Sequence, residues 1–389
     1  MKIIQINCVY NTGSTGKIVA GLHSQYINLG HDSFVLYGRG KKVSDANIIK
    51  VSSEIEAKIH GLLSRLFGVD FGYSPIATKK AIGIIKKVKP DVVHLHCLNG
   101  HFINVFRLLD FLKKNKIKTI LTLHAEIMHT AGCEHAMECT KWTSMCYDCK
   151  MVSGLISRLF RDDAKVSFTK MRDAFSNFDR LTIVGCSEWV VQRAKLSPIF
   201  GKSNCSFSYI HNDINYDVFH FKPSNLRDAL GIPLKKKIVL TVTPNFLSPI
   251  KGSSYFLEIA RRMPEYQFIV VGFNGNKEIL PSNVLAIRRT ENQNELANYY
   301  SLADCFISTS LRETLPTVCL EASACGCNVL AFDSGGASET IQEGHGDVVT
   351  PYDIDEYICK IKFWCSQQRN SFVCAIKKNN ASESYLKLY

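Results

Sequence analysis

Residues 305–332 read CFISTSLRETLPTVCLEASACGCNVLAF. Short apolar runs at Cys305–Ser308 and Asn328–Phe332 are typical of buried strands, and Thr317–Ala324 between them predicts a helix. A strand, a helix and a second strand in this order predict two parallel strands joined by a crossover helix. This segment therefore favours a parallel α/β sheet.

The same alternation of strands and helices continues toward the N-terminus. In the second half of the chain, Ser253–Met263 predicts a helix between strands at Lys237–Val242 and Tyr266–Val271. The first half predicts further strands at Lys2–Val9, Ser33–Tyr37, Val92–His96, Thr119–His124, Leu181–Val184 and Ser206–Ile210. This order predicts two Rossmann-like, doubly wound parallel-sheet domains that face a central cleft, which would hold a ligand.

Length and composition agree with two domains. The chain has 389 residues, of which 46% are hydrophobic, so it can bury a large core and general disorder is excluded. No apolar run approaches the ~18 residues of a membrane-spanning helix, and the first residues do not read as a signal peptide. We predict an N-terminal domain over residues 1–209, a C-terminal domain over residues 210–368, and a helix over residues 369–389 that returns to the N-terminal domain.

The net charge of +12 is concentrated in the first half of the chain. Residues 1–209 carry 29 Lys and Arg against 16 Asp and Glu, whereas residues 210–389 carry 18 against 19. An excess confined to one half suggests an anionic partner there, such as nucleic acid, a phosphate-bearing substrate or a membrane surface. The alternative is a set of solvated lysines with no partner.

One predicted helix, Ile55–Phe67, combines an apolar stripe with basic neighbours. Its stripe consists of Ile55, Ile59, Leu62, Leu63 and Leu66. The basic residues beside it and downstream of it include Lys58, Arg65, Lys79, Lys80, Lys86, Lys87 and Lys89. An interfacial helix with lysines suits the inner face of an anionic membrane. The alternative is an ordinary helix that packs its stripe on the core.

Two carboxylates and a glycine loop are candidates for ligand binding. Glu313 follows the strand predicted at Cys305–Ser308, and Glu321 lies about one turn into the next helix. A carboxylate can accept hydrogen bonds from two vicinal hydroxyls, so the pair could hold two sugar rings beside a helix N-terminus that faces phosphate. Gly13–Lys17 reads GSTGK but lacks the first glycine and the final Ser or Thr of a P-loop. It predicts a small-residue turn at a helix N-terminus, suited to an anionic or sugar ligand.

Residues 301–329 closely resemble the signature of the retaining GT-B glycosyltransferases of family 4. Other motifs match in the family's order over almost the whole chain: the strand ends at residues 92–96 and 121–124, the hinge at 210–219, the loop 243–252 ending in Lys-Gly, and the Gly-Gly turn at 334–339. The resemblance implies the GT-B fold, in which two Rossmann-like domains face a central cleft.

The resemblance also implies roles for individual residues. Lys251 matches the lysine that neutralises the donor diphosphate, and Glu313 matches the carboxylate that grips the transferred sugar. Glu321 matches the carboxylate that holds the ribose, and His124 matches the histidine at the cleft floor. The implied catalytic residues are thus His124, Lys251 and Glu313. The implied donor-binding residues are Gly13, Gly16, Asn245, Lys251, Glu313, Thr317 and Glu321.

Two positions depart from the family's pattern. Asn245 stands where the family often has Arg, which removes a cation from the phosphate site. Pro316 stands where glycine is frequent and supplies no N–H. Phosphate binding must then depend more on Lys251 and on other backbone amides.

The function implied is a retaining hexosyltransferase. It would move a hexose from a UDP- or GDP-sugar to a lipid-linked saccharide in bacterial surface polysaccharide biosynthesis, that is, O-antigen, capsule or exopolysaccharide. No catalytic metal and no nucleic acid are expected, and the protein would be cytoplasmic and peripheral at the anionic inner face of the membrane. Two alternatives stay open: a nucleotide-sugar 2-epimerase of the same fold, and a basic nucleic-acid-binding protein.

Four cysteines lie close together within residues 133–149, in an insertion after the strand at Thr119–His124. They are Cys133, Cys139, Cys146 and Cys149. A structural zinc site, free thiols and a disulfide are the alternatives for this set, whose spacing differs from that of a standard zinc ribbon. No catalytic role is implied, because four thiolates leave zinc no open position. With 15 cysteines and no signal peptide, the chain favours reduced thiols in the cytosol.

Overall fold

The computed structural model describes residues 1–149, 164–367 and 380–389. These residues form two compact units. The first comprises Met1–Asn212 together with Asn380–Tyr389, and the second contains the described residues from Asp213 to Gln367. The first unit thus ends its main segment three residues after residue 209 and also includes the C-terminal segment.

The first unit is built on a parallel sheet of seven strands. They are β1 (Lys2–Val9), β2 (Asp32–Arg39), β3 (Ile48–Lys50), β4 (Val92–Leu95), β5 (Lys118–Leu123), β6 (Leu181–Gly185) and β7 (Ser206–Tyr209). Their order in the sheet is β3-β2-β1-β4-β5-β6-β7, and every pair is parallel. The order reverses between β1 and β4, which is where such sheets open a crevice at the carboxyl ends of their strands.

Helices connect these strands. They are α1 (Gly13–Asn28), α2 (Glu54–Phe67), α3 (Pro75–Val88), α4 (Val105–Lys114), α5 (Ile127–Thr130), α6 (Ala164–Phe175) and α7 (Glu188–Lys195). Side-chain caps fix where several of them begin. Ser53 accepts a hydrogen bond from the Glu56 amide at the start of α2, and Asn104 accepts one from the Arg107 amide at the start of α4.

Helix α2 turns three residues of its apolar stripe outward. Its buried residues are small or polar: Ala57, His60 and Ser64. Ile55, Ile59 and Leu62 are 72%, 52% and 53% exposed. The alternative that these three side chains pack on the core is therefore wrong.

The second unit is built on a parallel sheet of six strands: β8 (Ile238–Val242), β9 (Gln267–Val271), β10 (Val284–Ile287), β11 (Cys305–Ser308), β12 (Asn328–Phe332) and β13 (Gly346–Val349). Their order is β10-β9-β8-β11-β12-β13. The connecting helices are α8 (Leu226–Ala229), α9 (Ser253–Arg262), α10 (Gln293–Leu302), α11 (Thr317–Ala324) and α12 (Ile354–Ser366). Strand β11, helix α11 and strand β12 have the bounds predicted for residues 305–332.

Apolar layers cover both faces of this second sheet. Phe256 and Phe268 are fully buried in one layer, and Tyr300 and Phe306 are fully buried in the other. Burial on both faces is typical of parallel sheets and explains the continuous apolar runs of their strands.

The last described helix, α13 (Ala381–Leu388), belongs to the first unit. Its Tyr385 shares an apolar cluster with Ile3, Leu22 and Tyr26. A helix was predicted over residues 369–389, and residues 369–379 of that range lie outside the described residues. Within the described ranges, no helix combines the length and the apolar character needed to cross a membrane.

Candidate active site

The candidate residues of the second unit lie where β8 and β11 end. These two strands are neighbours in the sheet, at the point where the strand order reverses. After β8 the chain forms a loop and a short 3-10 turn, Pro249–Lys251, before α9 begins. After β11, residues 309–316 form a second loop that leads into α11. Ligands of doubly wound sheets bind at this edge, so both loops are in the expected place.

Lys251 and Glu313 form an ion pair between these loops. Lys251 Nζ lies 2.6 Å from Glu313 Oε1, and the side chains are 25% and 17% exposed. The pair is thus half-buried, and both charged side chains keep some access to solvent. A cation of this kind can bind a phosphate, and a carboxylate can accept hydrogen bonds from sugar hydroxyls.

Glycines hold the backbone of both loops in place. Gly252 has φ +63°, and a Cβ there would lie 1.9 Å from the Thr309 carbonyl oxygen. Gly335 has φ +75°, and a Cβ there would lie 2.0 Å from the Glu313 carbonyl oxygen. Any larger residue would have to push the loop of Glu313 away, because the obstacle in both cases is backbone.

Hydrogen bonds complete the attachment of the two loops. The Leu311 amide donates to the Ile250 carbonyl at 2.8 Å, and the Gly336 amide donates to the Glu313 carbonyl at 2.9 Å. Thr309 Oγ1 also donates to the Lys251 carbonyl at 3.1 Å. The positions of Lys251 and Glu313 are therefore set by main-chain contacts and not only by their ion pair.

Glu321 lies in α11 and is oriented by a buried tyrosine. Tyr300 Oη donates to Glu321 Oε2 at 3.0 Å. Burial, with the neighbouring Glu321 carboxylate as a further cause, raises the pKa of Tyr300 well above its ordinary value, so the phenol keeps its proton and donates. Tyr300 was not predicted as a site residue, because its contact with Glu321 spans 21 residues and leaves no local pattern.

The other predicted donor-binding residues of this unit lie in one of these loops or directly after it. Thr317 is the first residue of α11, after Pro316. Asn245 is exposed in the loop after β8, where its carbonyl accepts the Ser248 amide at 3.1 Å.

The candidate residues of the first unit lie where β1, β4 and β5 end. Gly13 begins α1, and the carbonyl of Gly16 accepts the Asn11 amide at 2.9 Å, which closes the turn between β1 and α1. His124 follows β5 directly. Asn7, which was not predicted, joins the neighbouring loops: Oδ1 accepts the Cys97 amide at 3.0 Å and Nδ2 donates to the Val9 carbonyl at 2.7 Å.

Three histidines lie side by side at this edge. His124 Nε2 is 3.1 Å from His96 Nδ1, and the rings of His94 and His96 have centroids 3.9 Å apart. Burial lowers the pKa of His124 to about 4 and holds the pKa values of His94 and His96 well below the ordinary value. All three rings are therefore neutral near pH 7.

The cysteine-rich insertion is anchored to the first unit by Trp142. Trp142 is buried, its ring packs edge-on against His129, and the Arg193 guanidinium lies 4.8 Å from its centroid. None of the 14 described cysteines forms a disulfide. Among the described residues, no three His, Cys, Asp or Glu side chains are grouped so as to hold a metal ion, so Cys133, Cys139, Cys146 and Cys149 do not form a ready four-ligand site. Zinc at these thiols stays a prediction.

Part of the chain matches a family of known enzymes. Residues 224–382 match the family model described as glycosyl transferases group 1. The D-inositol 3-phosphate glycosyltransferase of Mycobacterium avium (strain 104) is 27% identical over 165 residues, which cover 38% of this chain and 38% of that protein. The match thus spans less than two-fifths of the relative's length. The predicted glycosyltransferase character is confirmed for this segment, which contains Lys251, Glu313 and Glu321.

Solved structures match the chain over its whole length. WaaG, a glycosyltransferase involved in lipopolysaccharide biosynthesis, has a TM-score of 0.64 and 13% identity, with 99% of each chain covered. Anabaena Alr3699/HepE in complex with UDP-glucose has a TM-score of 0.60 and 15% identity, with 100% of this chain and 95% of that chain covered. These matches confirm the predicted fold class, GT-B with two parallel α/β sheets.

Proposed function

We propose that this protein is a glycosyltransferase that moves a hexose from a nucleotide diphosphate sugar to a saccharide acceptor, since residues 224–382 match the group 1 glycosyl transferases. The observation that carries the proposal is the Lys251–Glu313 pair at the ends of β8 and β11, with Glu321 in the helix that follows. We further propose that the enzyme is of family 4 and retains the configuration of the transferred sugar.

Each polar group of this site suits one part of the donor. Glu321, held by Tyr300, would accept hydrogen bonds from the two ribose hydroxyls. Lys251 would neutralise the diphosphate, and Glu313 would accept hydrogen bonds from hydroxyls of the hexose. A uridine or guanosine donor is proposed, and the UDP-glucose bound to Anabaena HepE supports the first of these.

The proposed reaction needs charge stabilisation more than a nucleophilic side chain. As the bond between the sugar and the phosphate breaks, the sugar takes on oxocarbenium character and negative charge grows on the diphosphate. Lys251 stabilises that charge most strongly in the transition state, and the first amides of α11 add the partial positive charge of a helix N-terminus. The acceptor hydroxyl attacks from the face that the diphosphate leaves and passes its proton to the leaving phosphate. His124, in the first unit, is proposed to contact the substrate as a neutral ring.

We propose a lipid-linked acceptor at an anionic membrane surface, in bacterial surface polysaccharide assembly. The support comes from α2 and α3. Besides the exposed stripe of α2, Ile76 is 73% exposed at the start of α3, and its amide bonds to Glu56 of α2 at 3.0 Å. Helix α3 carries four exposed lysines and no acidic residue: Lys79, Lys80, Lys86 and Lys87. Apolar side chains beside lysines suit a surface of anionic lipid.

Donor binding is the first test. UDP-glucose, GDP-mannose and ADP-glucose would each be added to the purified full chain, and the melting temperature would be measured. A donor at ~100 times its Kd should stabilise the protein by about 2.7 kcal/mol. We expect a higher melting temperature with a UDP- or GDP-sugar. If none of the three donors raises the melting temperature, the proposal is overturned.

Turnover is the second test. Glu313→Gln should fold normally but release nucleotide at least about tenfold more slowly, because a charge-assisted hydrogen bond contributes about 1.5–3 kcal/mol. Glu258→Gln, a change of a side chain on α9 that is 44% exposed in the same unit, is the control. Equal rates in the two variants would remove Glu313 from the site. Recovery of a 2-epimer with no transfer would identify an epimerase instead.

A further inference from the structure

The C-terminal helix α13 places two tyrosines against the histidines of the first unit. The ring centroid of Tyr385 lies 4.6 Å from that of His94, and the ring centroid of Tyr389 lies 5.8 Å from it. His94 is fully buried and Tyr385 is 3% exposed. The tyrosine hydroxyls therefore meet the histidine in a region that excludes water, where each polar group needs a protein partner.

Hydrogen bonds connect these side chains in a continuous series. Tyr389 Oη lies 2.6 Å from His94 Nδ1 and 2.9 Å from Tyr26 Oη. His94 Nε2 lies 2.7 Å from Thr122 Oγ1, which lies 3.0 Å from Tyr385 Oη. Both nitrogens of His94 thus have hydroxyl partners, and its ring cannot rotate without breaking two hydrogen bonds.

Because the ring of His94 is neutral, each of its two tautomers requires a different set of these hydroxyls to donate. If the proton is on Nε2, Tyr389 must donate to Nδ1, and Tyr26 must then donate to Tyr389. If the proton is on Nδ1, Thr122 must donate to Nε2, and Tyr385 must then donate to Thr122. In both cases the ring of His94 is held at Nδ1 by Tyr389 and at Nε2 by Thr122, whose own hydroxyl partner is Tyr385.

The orientation of the His94 ring affects His124 through His96, which lies between them. The rings of His94 and His96 lie 3.9 Å apart at 31° and are both buried, so His96 has no room to turn while His94 is fixed. His96 Nε2 is buried without a hydrogen-bond partner. Because a buried N–H without an acceptor is the rarer and costlier arrangement, the proton of His96 belongs on Nδ1, which then donates to His124 Nε2. His124 is left with its own proton on Nδ1.

We infer that Tyr385 and Tyr389 are positioning residues that fix the orientation and the tautomer of His124 through Thr122, His94 and His96. The inference rests on the proposed function only in giving His124 a substrate to contact. Neither tyrosine touches the substrate itself in this scheme. Removing the hydroxyl of either tyrosine should leave the fold in place. It should allow the ring of His94 to move, and the rings of His96 and His124 with it.

Nitrogen-15 spectroscopy of the histidine rings in the full-length protein tests this coupling without any substrate. In the wild type, His124 should show one tautomer, protonated on Nδ1. Tyr389→Phe and Tyr385→Phe keep the aromatic packing but lack the hydroxyl, and each should give His124 signals of two exchanging tautomers. Tyr37→Phe is the control, because Tyr37 is as buried as Tyr385 and its hydroxyl bonds to the Lys41 carbonyl and the Val43 amide in the loop after β2.

A second pair of variants separates positioning from simple loss of stability. Thr122→Val removes the hydroxyl that His94 Nε2 meets, whereas Thr122→Ser retains it. We expect the valine variant to behave like the tyrosine variants and the serine variant to behave like the wild type. With a donor and acceptor in hand, kcat should fall about fivefold in the three disrupted variants, the size of one neutral hydrogen bond, while the KM for the donor changes less than about twofold.

The outcomes distinguish this inference from the proposed function. His124 signals that stay those of the wild type in Tyr389→Phe, Tyr385→Phe and Thr122→Val would overturn the inference, whatever the enzyme does. Altered signals in these variants, together with unchanged signals in Tyr37→Phe and Thr122→Ser, would support it. If the wild type then turned over no nucleotide sugar, the proposed function would fail while the coupling stood.

Discussion

In the proposed reaction, the charge of Lys251 would serve the leaving diphosphate better than the bound donor. Its Nζ is shared with Glu313 at 2.6 Å, so a ground-state phosphate must compete with a carboxylate for the same cation. The competition weakens as negative charge grows on the phosphate. The ion pair therefore favours interactions that are realised late in the reaction.

Lys251→Ala should consequently reduce kcat more than it raises the KM for the donor. Initial rates over a range of UDP- or GDP-sugar concentrations would separate the two constants. Lys277→Ala, at an exposed position of the same unit, is the matched control and should leave both constants unchanged. If KM rises while kcat stays constant, Lys251 only anchors the ground state and this account of its role is wrong.

Glu126 is the most buried ion-paired carboxylate among the described residues, and it joins three parts of the first unit. Its side chain is fully buried, its Oε1 lies 2.5 Å from Arg193 Nε of α7, and its Oε2 accepts the Ala136 amide of the cysteine-rich insertion. Burial alone would raise the pKa of Glu126, but the contacts with His129, Arg193 and the Ala136 amide lower it to about 2. Its stabilising effect is therefore present above the unfolded pKa of about 4.5 and is lost as the pH falls toward 2.

Glu126→Gln should lower the free energy of unfolding at pH 7 by about 3–5 kcal/mol, because it leaves the Arg193 charge half-buried without its partner. The difference from the wild type should shrink at pH 3, where the wild type has lost part of the same stabilisation. Urea unfolding at the two pH values measures both quantities. A difference that is as large at pH 3 as at pH 7 would contradict the linkage.

At the scale of elements, α2 shows that helical periodicity predicts a helix but not the direction in which its stripe points. The spacing of Ile55, Ile59 and Leu62 is that of a core-facing helix, yet all three are exposed. The buried face instead carries His60, whose Nδ1 bonds to Ser74 Oγ and whose Nε2 bonds to the Asp70 carbonyl. These two hydrogen bonds need His60 on the buried side of α2. The small and polar residues of the helix therefore face inward, and the three apolar residues face outward.

The exposed stripe and the lysines of α3 should make the protein bind vesicles with anionic lipid and leave them as salt rises. Replacing Lys79, Lys80, Lys86 and Lys87 with Gln should weaken this binding, since each lysine near such a surface contributes about 1 kcal/mol. Replacing Ile55, Ile59 and Leu62 with Ser should weaken it as well. Co-sedimentation with vesicles that contain or lack anionic lipid measures both effects.

A matched control for the lysines comes from the second unit. Lys235, Lys236, Lys277 and Lys362 carry the same total charge, so their replacement with Gln should leave vesicle binding unchanged. Equal binding to neutral and anionic vesicles, or equal loss in the two quadruple variants, would mean that α3 is not the surface involved. Donor binding should be the same in all variants that change α2 and α3, because neither helix contains a predicted donor-binding residue.

At the scale of the whole molecule, the sequence predicts strands best where they are central. The segment β11–α11–β12 was predicted to the residue, because buried central strands form apolar runs that end at polar loops. Strands β3, β10 and β13 were not predicted. Each has three or four residues and is half-buried for part of its length, so neither an apolar run nor an alternation can be read from it.

Only part of the candidate site could be predicted from the sequence. Lys251 and Glu313 are 62 residues apart, and they were linked only through the resemblance to known enzymes. Tyr300 with Glu321, and Tyr389 with His94, meet through folding alone, over separations of 21 and 295 residues. No local pattern reports such contacts, because they depend on which strands become neighbours in a sheet.

Removing α13 should destabilise the first unit and leave the second unit intact. A chain that ends before Asn380 loses Tyr385 from the apolar cluster of Ile3, Leu22 and Tyr26, and it loses the Tyr389 hydroxyl that bonds to His94. Calorimetry should show one transition at a lower temperature and one that a donor still shifts upward. An unchanged melting profile would mean that α13 contributes little to the first unit.

The return of α13 to the first unit also affects how the protein is made. A ribosome adds residues from the N-terminus, at about 5–20 per second, and a domain emerging first usually folds before the next one appears. Here the first unit must wait for residues 213–379 to be synthesised before its last helix exists. For a period on the order of 10–30 s, Tyr26 and His94 lack the hydroxyl partner that Tyr389 supplies in the complete chain. During synthesis the nascent first unit thus leaves part of its apolar cluster uncovered, and exposed apolar surface is what chaperones bind.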